Sequence, residues 1–174
     1  INSVIHFAGI KSVEESISNP LKYWNTNINA TLNLLEIMTK FNCKSFVFSS
    51  SATIYEPLKN KKLFEDASKM PTNPYGNTKI SIEKILNDVF ISDNSWKIIN
   101  LRYFNPVGSH YSGLLGENPK KAATNLFPAI SKVLLGEVDQ LLVFGNDWPT
   151  EDGTCIRDYI HVMDLAEAHI AALR

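Results

Sequence analysis

The chain has 174 residues, 44% of them hydrophobic and 20% charged, with a formal net charge of −1. That length suits a domain with its own hydrophobic core, and the near-zero charge offers no electrostatic footing for nucleic acid or an anionic membrane. Cys43 and Cys155 are too few for a disulfide framework and lack metal-ligand spacing, so no metal is expected and a reducing compartment, the cytoplasm, is the default. No apolar run is long enough to span a bilayer, and no secretory leader is visible. Lys59, Lys61 and Lys62 form the only basic cluster and read as a solvated loop. The sequence opens at Ile1, enters a buried-strand pattern almost at once and stops at Arg174 within a helical pattern, so it reads as a piece of a longer protein.

Val4 to Ala8 predicts a strand running into Gly9, and Pro20 to Phe41 a long helix with Leu32, Leu35 and Met38 on its apolar face. Ser45 to Ser49 is a short apolar run between polar residues, the pattern of a buried strand. A lysine-rich loop over Ala52 to Pro71 precedes a helix from Pro74 to about Ile91. Trp96 to Tyr103 predicts a third strand, and residues 105–121 a glycine-rich loop. Leu126 to Leu135 predicts a helix stopped by Gly136. Leu141 to Phe144 and Ile160 to Val162 predict short strands, and Leu165 opens a last helix. Alternating strands and helices imply a doubly wound parallel α/β sheet, whose ligands collect outside the carboxyl ends of the strands. Phe7-Ala8-Gly9, Ser49-Ser50-Ser51 and Tyr103-Phe104-Asn105 all follow predicted strands at that edge. A glycine-rich phosphate turn and the acidic residue that reads an adenosine ribose are absent, so the dinucleotide fold is incomplete.

The chemistry centres on Tyr75 and Lys79. Asn73 suits a helix N-cap and Pro74 the first helical position, and Ile82, Ile85, Leu86, Val89 and Phe90 continue the helical period. Tyr75, Lys79, Ile82 and Leu86 then share the stripe that faces the sheet. A free phenol titrates near 10. A cation about 4 Å away contributes about 4 kcal/mol at an effective dielectric near 20, roughly three pKa units, enough to make the phenol a usable base. The spacing alone is weak: Tyr55 and Lys59 repeat it, although Pro57 between them opposes a shared helix. The competing reading is a buried tyrosine with a snorkelling lysine. His6, inside a strand, reads as a packed core residue. His161 with Asp158 and Asp164 reads as a turn, and His110 and His169 show no partner spacing.

Several stretches resemble one family. Val4-Ile5-His6-Phe7-Ala8-Gly9-x-Lys11, Phe48-Ser49-Ser50-Ser51-Ala52-Thr53-Ile54-Tyr55 and Asn73-Pro74-Tyr75-Gly76-x-Thr78-Lys79 are similar to the UDP-glucose 4-epimerase family of extended short-chain dehydrogenases/reductases. So are Leu101-Arg102-Tyr103-Phe104-Asn105-Pro106, Phe144-Gly145-Asn146-Asp147, Thr150-Glu151-Asp152-Gly153-Thr154 and the run Arg157-Asp158-Tyr159-Ile160-His161-Val162-Met163-Asp164-Leu165-Ala166. The resemblance covers essentially the whole chain. It departs at Glu56, Ala30 and Cys155, where glycine is usual, and at Thr26 beside Asn27; none removes a catalytic group.

The resemblance implies a Rossmann-like fold, its second half only, over residues 1–110, with part of a smaller UDP-sugar-binding region over 111–174. It implies NAD-dependent epimerisation at C4 between UDP-glucose and UDP-galactose through a 4-keto sugar. Tyr75 is the implied base, Lys79 lowers its pKa and binds the nicotinamide ribose, and Ser51 bridges to the sugar hydroxyl. Phe7, Ala8, Gly9, Lys11, Asn27, Ser49, Ser51, Tyr75, Lys79 and Phe104 match cofactor-binding positions, and Lys11, Ser51, Tyr75, Asn105, Asn125, Phe144 and Arg157 match substrate-binding ones. A guanidinium at Arg157 suits a diphosphate. A homodimer through the Pro20 and Tyr75 helices is implied as well.

Other readings compete. A nucleotide-sugar 4,6-dehydratase needs acidic residues where this chain has Ser51-Ala52. Epimerases of UDP-glucuronate or UDP-pentoses are closer, but the Arg157 to Val162 context fits the hexose enzyme better. A binding module with a dead site predicts loss of Tyr75 or Lys79, and both are present. Without the glycine-rich turn the pyrophosphate lacks a helix N-terminus to sit on, and the Val4 to Ala8 strand lacks a sheet neighbour. The isolated 174 residues are therefore expected to be inactive and poorly soluble; NAD binding and turnover by the purified piece would contradict this.

Overall fold

The computed structural model describes residues 1–57, 62–119 and 125–174. Lys59 and Lys61 of the basic cluster, and with them the Tyr55–Lys59 pair, lie outside the described residues. The chain forms two compact units, residues 1–103 with 168–174, and residues 104–167.

The first unit is built on three parallel strands in the order β1 (Val4–His6), β2 (Ser45–Ser49), β3 (Lys97–Leu101). Val4 pairs with Phe46, and Phe46 in turn with Ile98. All three strands therefore deliver their carboxyl ends to one edge, as the alternating pattern predicts. Two helices make the crossovers, α2 (Pro20–Lys40) after a short unpredicted helix α1 (Val13–Ser18), and α3 (Pro74–Ser92). They cover the sheet with one core: Leu35, Met38, Cys43, Phe46, Phe48, Ile82, Leu86 and Trp96.

Local chemistry explains where the helices begin. Asn73 is extended and its side chain accepts from the Gly76 amide, with Pro74 at the first helical position, so the predicted start of α3 holds. The buried stripe of α2 differs from the predicted one. It runs Tyr23, Asn27, Thr31, Leu35, Met38, whereas Leu32 is 38% exposed. Polar residues on a buried stripe hide it from a hydrophobic pattern, and Asn27 and Thr31 are there because each has a partner. On α3 the stripe Tyr75, Lys79, Ile82, Leu86 is buried as expected, but Phe90 near the C-terminus is exposed. His6 is buried, bonded to Thr31 at 3.0 Å and in ring contact with Phe46 and Phe48.

The second unit pairs β4 (Asn105–Val107) with β5 (Tyr159–His161) in parallel. β4 falls where a loop was expected, because Asn105-Pro106 reads as a turn; a two-stranded edge tolerates the proline's missing N–H. Helix α4 (Leu126–Leu134) ends as its sequence predicts. Gly136 has φ +71°, and the Gly136 and Glu137 amides bond back to the Val133 and Lys132 carbonyls, a Schellman closure. The strand expected at Leu141 to Phe144 is absent: those four residues are exposed and irregular. Apolar content proposed that strand, but a strand also needs a pairing neighbour, and no described residue pairs there. The chain continues through α5 (Val162–Ala172).

Gly76 yields a test of this packing. A Cβ there would lie 2.7 Å from the Thr53 carbonyl oxygen and 2.8 Å from Pro71 Cβ. Helix propensity alone makes Gly→Ala favourable by about 1 kcal/mol, but neither obstacle is the flexible end of a side chain. Gly76→Ala in the full-length protein should therefore destabilise by about 2 kcal/mol, measured by urea denaturation; a stabilised variant would refute the close approach.

Candidate active site

The carboxyl end of β2 runs into the serine tripeptide Ser49-Ser50-Ser51. Beyond the strand, the Ser50 amide donates to the Leu101 carbonyl at 2.9 Å and the Ala52 amide to the Tyr103 carbonyl at 3.1 Å. A single 3₁₀ turn, Ala52–Ile54, follows; Ser51 caps it by accepting from the Thr53 amide. The turn lies against the first helical turn of α3, which carries Tyr75.

The expected trio of Ser51, Tyr75 and Lys79 is brought together here. Tyr75 is 9% exposed and Lys79 6%. The Lys79 ammonium donates to the Ser49 carbonyl at 2.8 Å and stands 4.8 Å from the centre of the Phe48 ring and 5.7 Å from that of Tyr75. Burial lowers its pKa to about 8. The folded amine sits below its unfolded 10.5, so burial costs stability below pH 8 and the penalty fades as pH rises toward 10.5.

Tyr75 departs from the expected direction. Burial raises the phenol's pKa, the Ser51 hydroxyl lowers it by hydrogen bonding, and neighbouring Tyr103 and Tyr23 add to the rise. The expected depression by Lys79 is not what this geometry yields: the ammonium is directed at the Ser49 carbonyl, and desolvation of the phenol outweighs its other neighbours.

Further groups surround the trio that spacing did not single out. The Tyr103 phenol and the Ser49 hydroxyl share a short hydrogen bond. The Ser50 hydroxyl donates to Glu83 at 2.5 Å. Glu83, one turn beyond Lys79, accepts from Arg102 Nε at 2.9 Å and Nη2 at 2.7 Å. An acidic residue on the buried stripe of α3 and an arginine at the end of β3 were the available signals. His169 also has neighbours, with ring centres 4.7 Å from Phe7 and 5.9 Å from Tyr103. His110 bonds Ser112, and His161 Nδ1 accepts from the Met163 amide.

The remaining expected cofactor positions in this unit lie along the loop after β1. Phe7, Ala8, Gly9 and Lys11 are exposed. Asn27 is buried and ties the loop down, accepting from the Ile10 amide at 2.9 Å and donating to the Ile10 carbonyl and to Thr78 Oγ1 at 3.1 Å each. Gly9 has φ +153°, and a Cβ there would come within 3.0 Å of Asn27 Oδ1, so the loop presents bare backbone. Lys79 has one hydrogen-bond acceptor among the described residues, leaving ammonium donors for hydroxyls of a ligand. These residues fit a ribose-bearing cofactor.

The expected substrate positions of the second unit lie on separate segments and share no hydrogen bond among the described residues. Asn105 Nδ2 donates to the Asp158 carbonyl at 2.8 Å, and Asn125 precedes α4 as its N-cap residue. Phe144 is 84% exposed, and Arg157 is exposed as well. Phe104 is 41% exposed.

A parallel α/β sheet whose carboxyl edge gathers a serine, a tyrosine and a lysine defines a doubly wound protein of Rossmann-like type. All of residues 1–174 match the sequence profile of the NAD dependent epimerase/dehydratase family, and the chain belongs to it. It is 55% identical over 173 residues to UDP-glucose 4-epimerase 2 of Arabidopsis thaliana, covering 99% of this chain and 49% of that protein. It is 52% identical over 173 residues, with the same coverage, to a bifunctional UDP-glucose 4-epimerase and UDP-xylose 4-epimerase of Pisum sativum. The crystal structure of UDP-glucose 4-epimerase from Bifidobacterium longum in complex with NAD+ and UDP superposes with a TM-score of 0.93 at 51% identity, over 98% of this chain and 51% of that one. The chain thus spans about half the length of the relatives it matches.

His6 gives the site a pH signature. Burial, and secondarily the Lys79 cation, hold its imidazole below the ordinary 6.5. Below pH 6.5 the unfolded chain takes up the proton first, so stability falls as the solution is acidified. Thermal denaturation of the full-length protein should show that slope, and His6→Leu should flatten it; an equal slope in the variant would contradict the assignment.

Proposed function

We propose that the protein carrying this chain is a UDP-sugar 4-epimerase that uses NAD to interconvert UDP-glucose and UDP-galactose. The observation that carries the reading is the cluster of Ser51 with the buried Tyr75 and Lys79 at the carboxyl edge of a parallel sheet; the names of the relatives support it. Tyr75 takes the proton of the C4 hydroxyl and later returns it. Ser51, beside the phenol, offers the path between phenol and sugar. With a pKa near 8, the Lys79 ammonium is largely charged at neutral pH. The Ser49 carbonyl fixes its direction, with the centre of the Tyr75 ring 5.7 Å away. Bound NAD supplies hydride acceptance and return at C4. Lys79 and Tyr75 would hold its ribose, with Phe7, Ala8, Gly9, Lys11, Asn27, Ser49 and Phe104 lining the remainder.

In this reading residues 1–110 serve NAD binding and 111–174 the UDP-sugar. Lys11, Asn105, Asn125, Phe144 and Arg157 hold the substrate, Arg157 as a diphosphate partner. The outer faces of α2 and α3 form a groove lined by Trp24, Ile28 and Ile85, and Leu21 on the same side of α2 is exposed; this face supports a homodimer. Cys43 and Cys155 are free, in keeping with a cytoplasmic location, and no helix among the described residues is long and apolar enough to cross a membrane. A UDP-pentose is the second candidate substrate, favoured by the similarity to the bifunctional enzyme.

The test is conversion of UDP-galactose to UDP-glucose by the full-length protein, with UDP-xylose in a parallel assay. Tyr75→Phe should lower the rate by about 100-fold or more, the scale of general base catalysis. Absent conversion by the wild type, or an undiminished rate in the variant, would overturn the proposal; conversion of UDP-xylose alone would move it to the pentose.

A further inference from the structure

Three successive turns of α3 meet three successive serines. The Ser51 hydroxyl faces the Tyr75 phenol and lowers its pKa, Lys79 reaches the Ser49 carbonyl, and Glu83 accepts from the Ser50 hydroxyl. The first two contacts belong to the proposed chemistry; the third does not. Ser50 is 2% exposed and Glu83 7%. The Glu83 carboxylate is held by both Nε and Nη2 of Arg102, whose Nη1 donates to the Tyr55 hydroxyl at 3.1 Å and the Glu65 carbonyl at 2.8 Å. One carboxylate therefore links the serine turn, α3, the end of β3 and the segment after the turn.

Stability alone does not account for an ionic pair here. Well-packed apolar residues in place of a buried ion pair are often neutral or better, whereas loss of one partner is strongly destabilising. What the ionic arrangement adds is direction. A bidentate guanidinium fixes the plane of the carboxylate, and the Ser50 hydroxyl follows it.

We propose that Glu83, oriented by Arg102, is a positioning residue that locks Ser50 and thereby sets Ser51 and the Ser49 carbonyl against Tyr75 and Lys79. This rests on the Ser51–Tyr75–Lys79 reading above. Besides Ser51, the titratable groups facing the Tyr75 phenol are Tyr23 from α2, Tyr103 from the chain after β3 and Lys79 from its own helix, and Ser50→Ala alters none of them.

The experiment compares Ser50→Ala, Glu83→Gln and the double variant in the full-length enzyme, with rates normalised to folded, NAD-bearing protein. Tyr75→Phe and Lys44→Met run alongside; Lys44 bonds Asp93 at 2.8 Å and Ser95 at 2.9 Å, away from the serine turn. Each single variant should lower kcat by about tenfold with KM within about twofold, and the double should lose no more than either single, because both break one link. The acid limb of the kcat profile should move to higher pH in Ser50→Ala, since a loosened Ser51 no longer favours the phenolate. A phenolate absorbance titration, differenced against Tyr75→Phe, should shift the same way. Should Glu83→Gln fail to fold, Ser50→Ala, which removes one hydroxyl, decides alone. Wild-type kcat and an unmoved limb in Ser50→Ala overturn the positioning role, as do losses that multiply in the double variant. An active Tyr75→Phe overturns the parent reading instead, whatever the other variants do.

Discussion

A lysine ammonium buried at the end of a parallel strand is costly, and the first unit is organised around making that burial tolerable. Lys79 lies beneath the sheet edge with its charge on the Ser49 carbonyl and the face of Phe48. The contact requires that β2 stop at Ser49, that α3 start at Asn73-Pro74 so that Lys79 falls on its sheet-facing stripe, and that the helix approach closely. Asn73 sets the start by capping, and Gly76 permits the approach. Below the charge, Ile82, Leu86, Phe46 and Phe48 supply the apolar contact that holds helix to sheet. The core is thus the support on which the polar edge rests.

That edge is polar through its depth, and each serine has a separate duty. Ser49 presents its carbonyl to Lys79 and its hydroxyl to Tyr103, Ser50 bonds Glu83, and Ser51 both caps the following turn and meets Tyr75. Buried polar groups are tolerated when paired, and here the pairing also assigns directions. The same logic applies one strand away, where Asn27 uses both ends of its amide to anchor the loop after β1. Rigid polar ties around one phenol are what an acid–base group needs if its proton is to leave and return along one line.

Tyr75 shows how burial and charge compete. Spacing places a cation beside a phenol, and Coulomb attraction by itself would lower the pKa. In the folded chain the phenol is desolvated and the ammonium is engaged by the Ser49 carbonyl, so the phenol titrates above its ordinary value. Positive charge added around the phenol would favour its ionisation.

Helix α3 was legible because its start is chemical: an asparagine that caps, a proline that fits the first turn, then an unbroken apolar period. The three strands of the sheet and the end of α4 at Gly136 were readable on similar grounds. Helix α2 was legible as a helix but not in its buried face, because Asn27 and Thr31 occupy that face by virtue of partners distant in sequence. Leu141 to Phe144 misled in the opposite sense, since apolar residues propose a strand but only a neighbour can pair with it. Local residue chemistry and periodicity determined α2 to α5, the parallel sheet and the Tyr75–Lys79 pair, and the family resemblance added Ser51. Only the tertiary structure decided where the Lys79 charge points, which way the Tyr75 pKa moves and that Glu83 and Arg102 join the serine turn, because desolvation and hydrogen-bond partners arise from residues that meet only after folding.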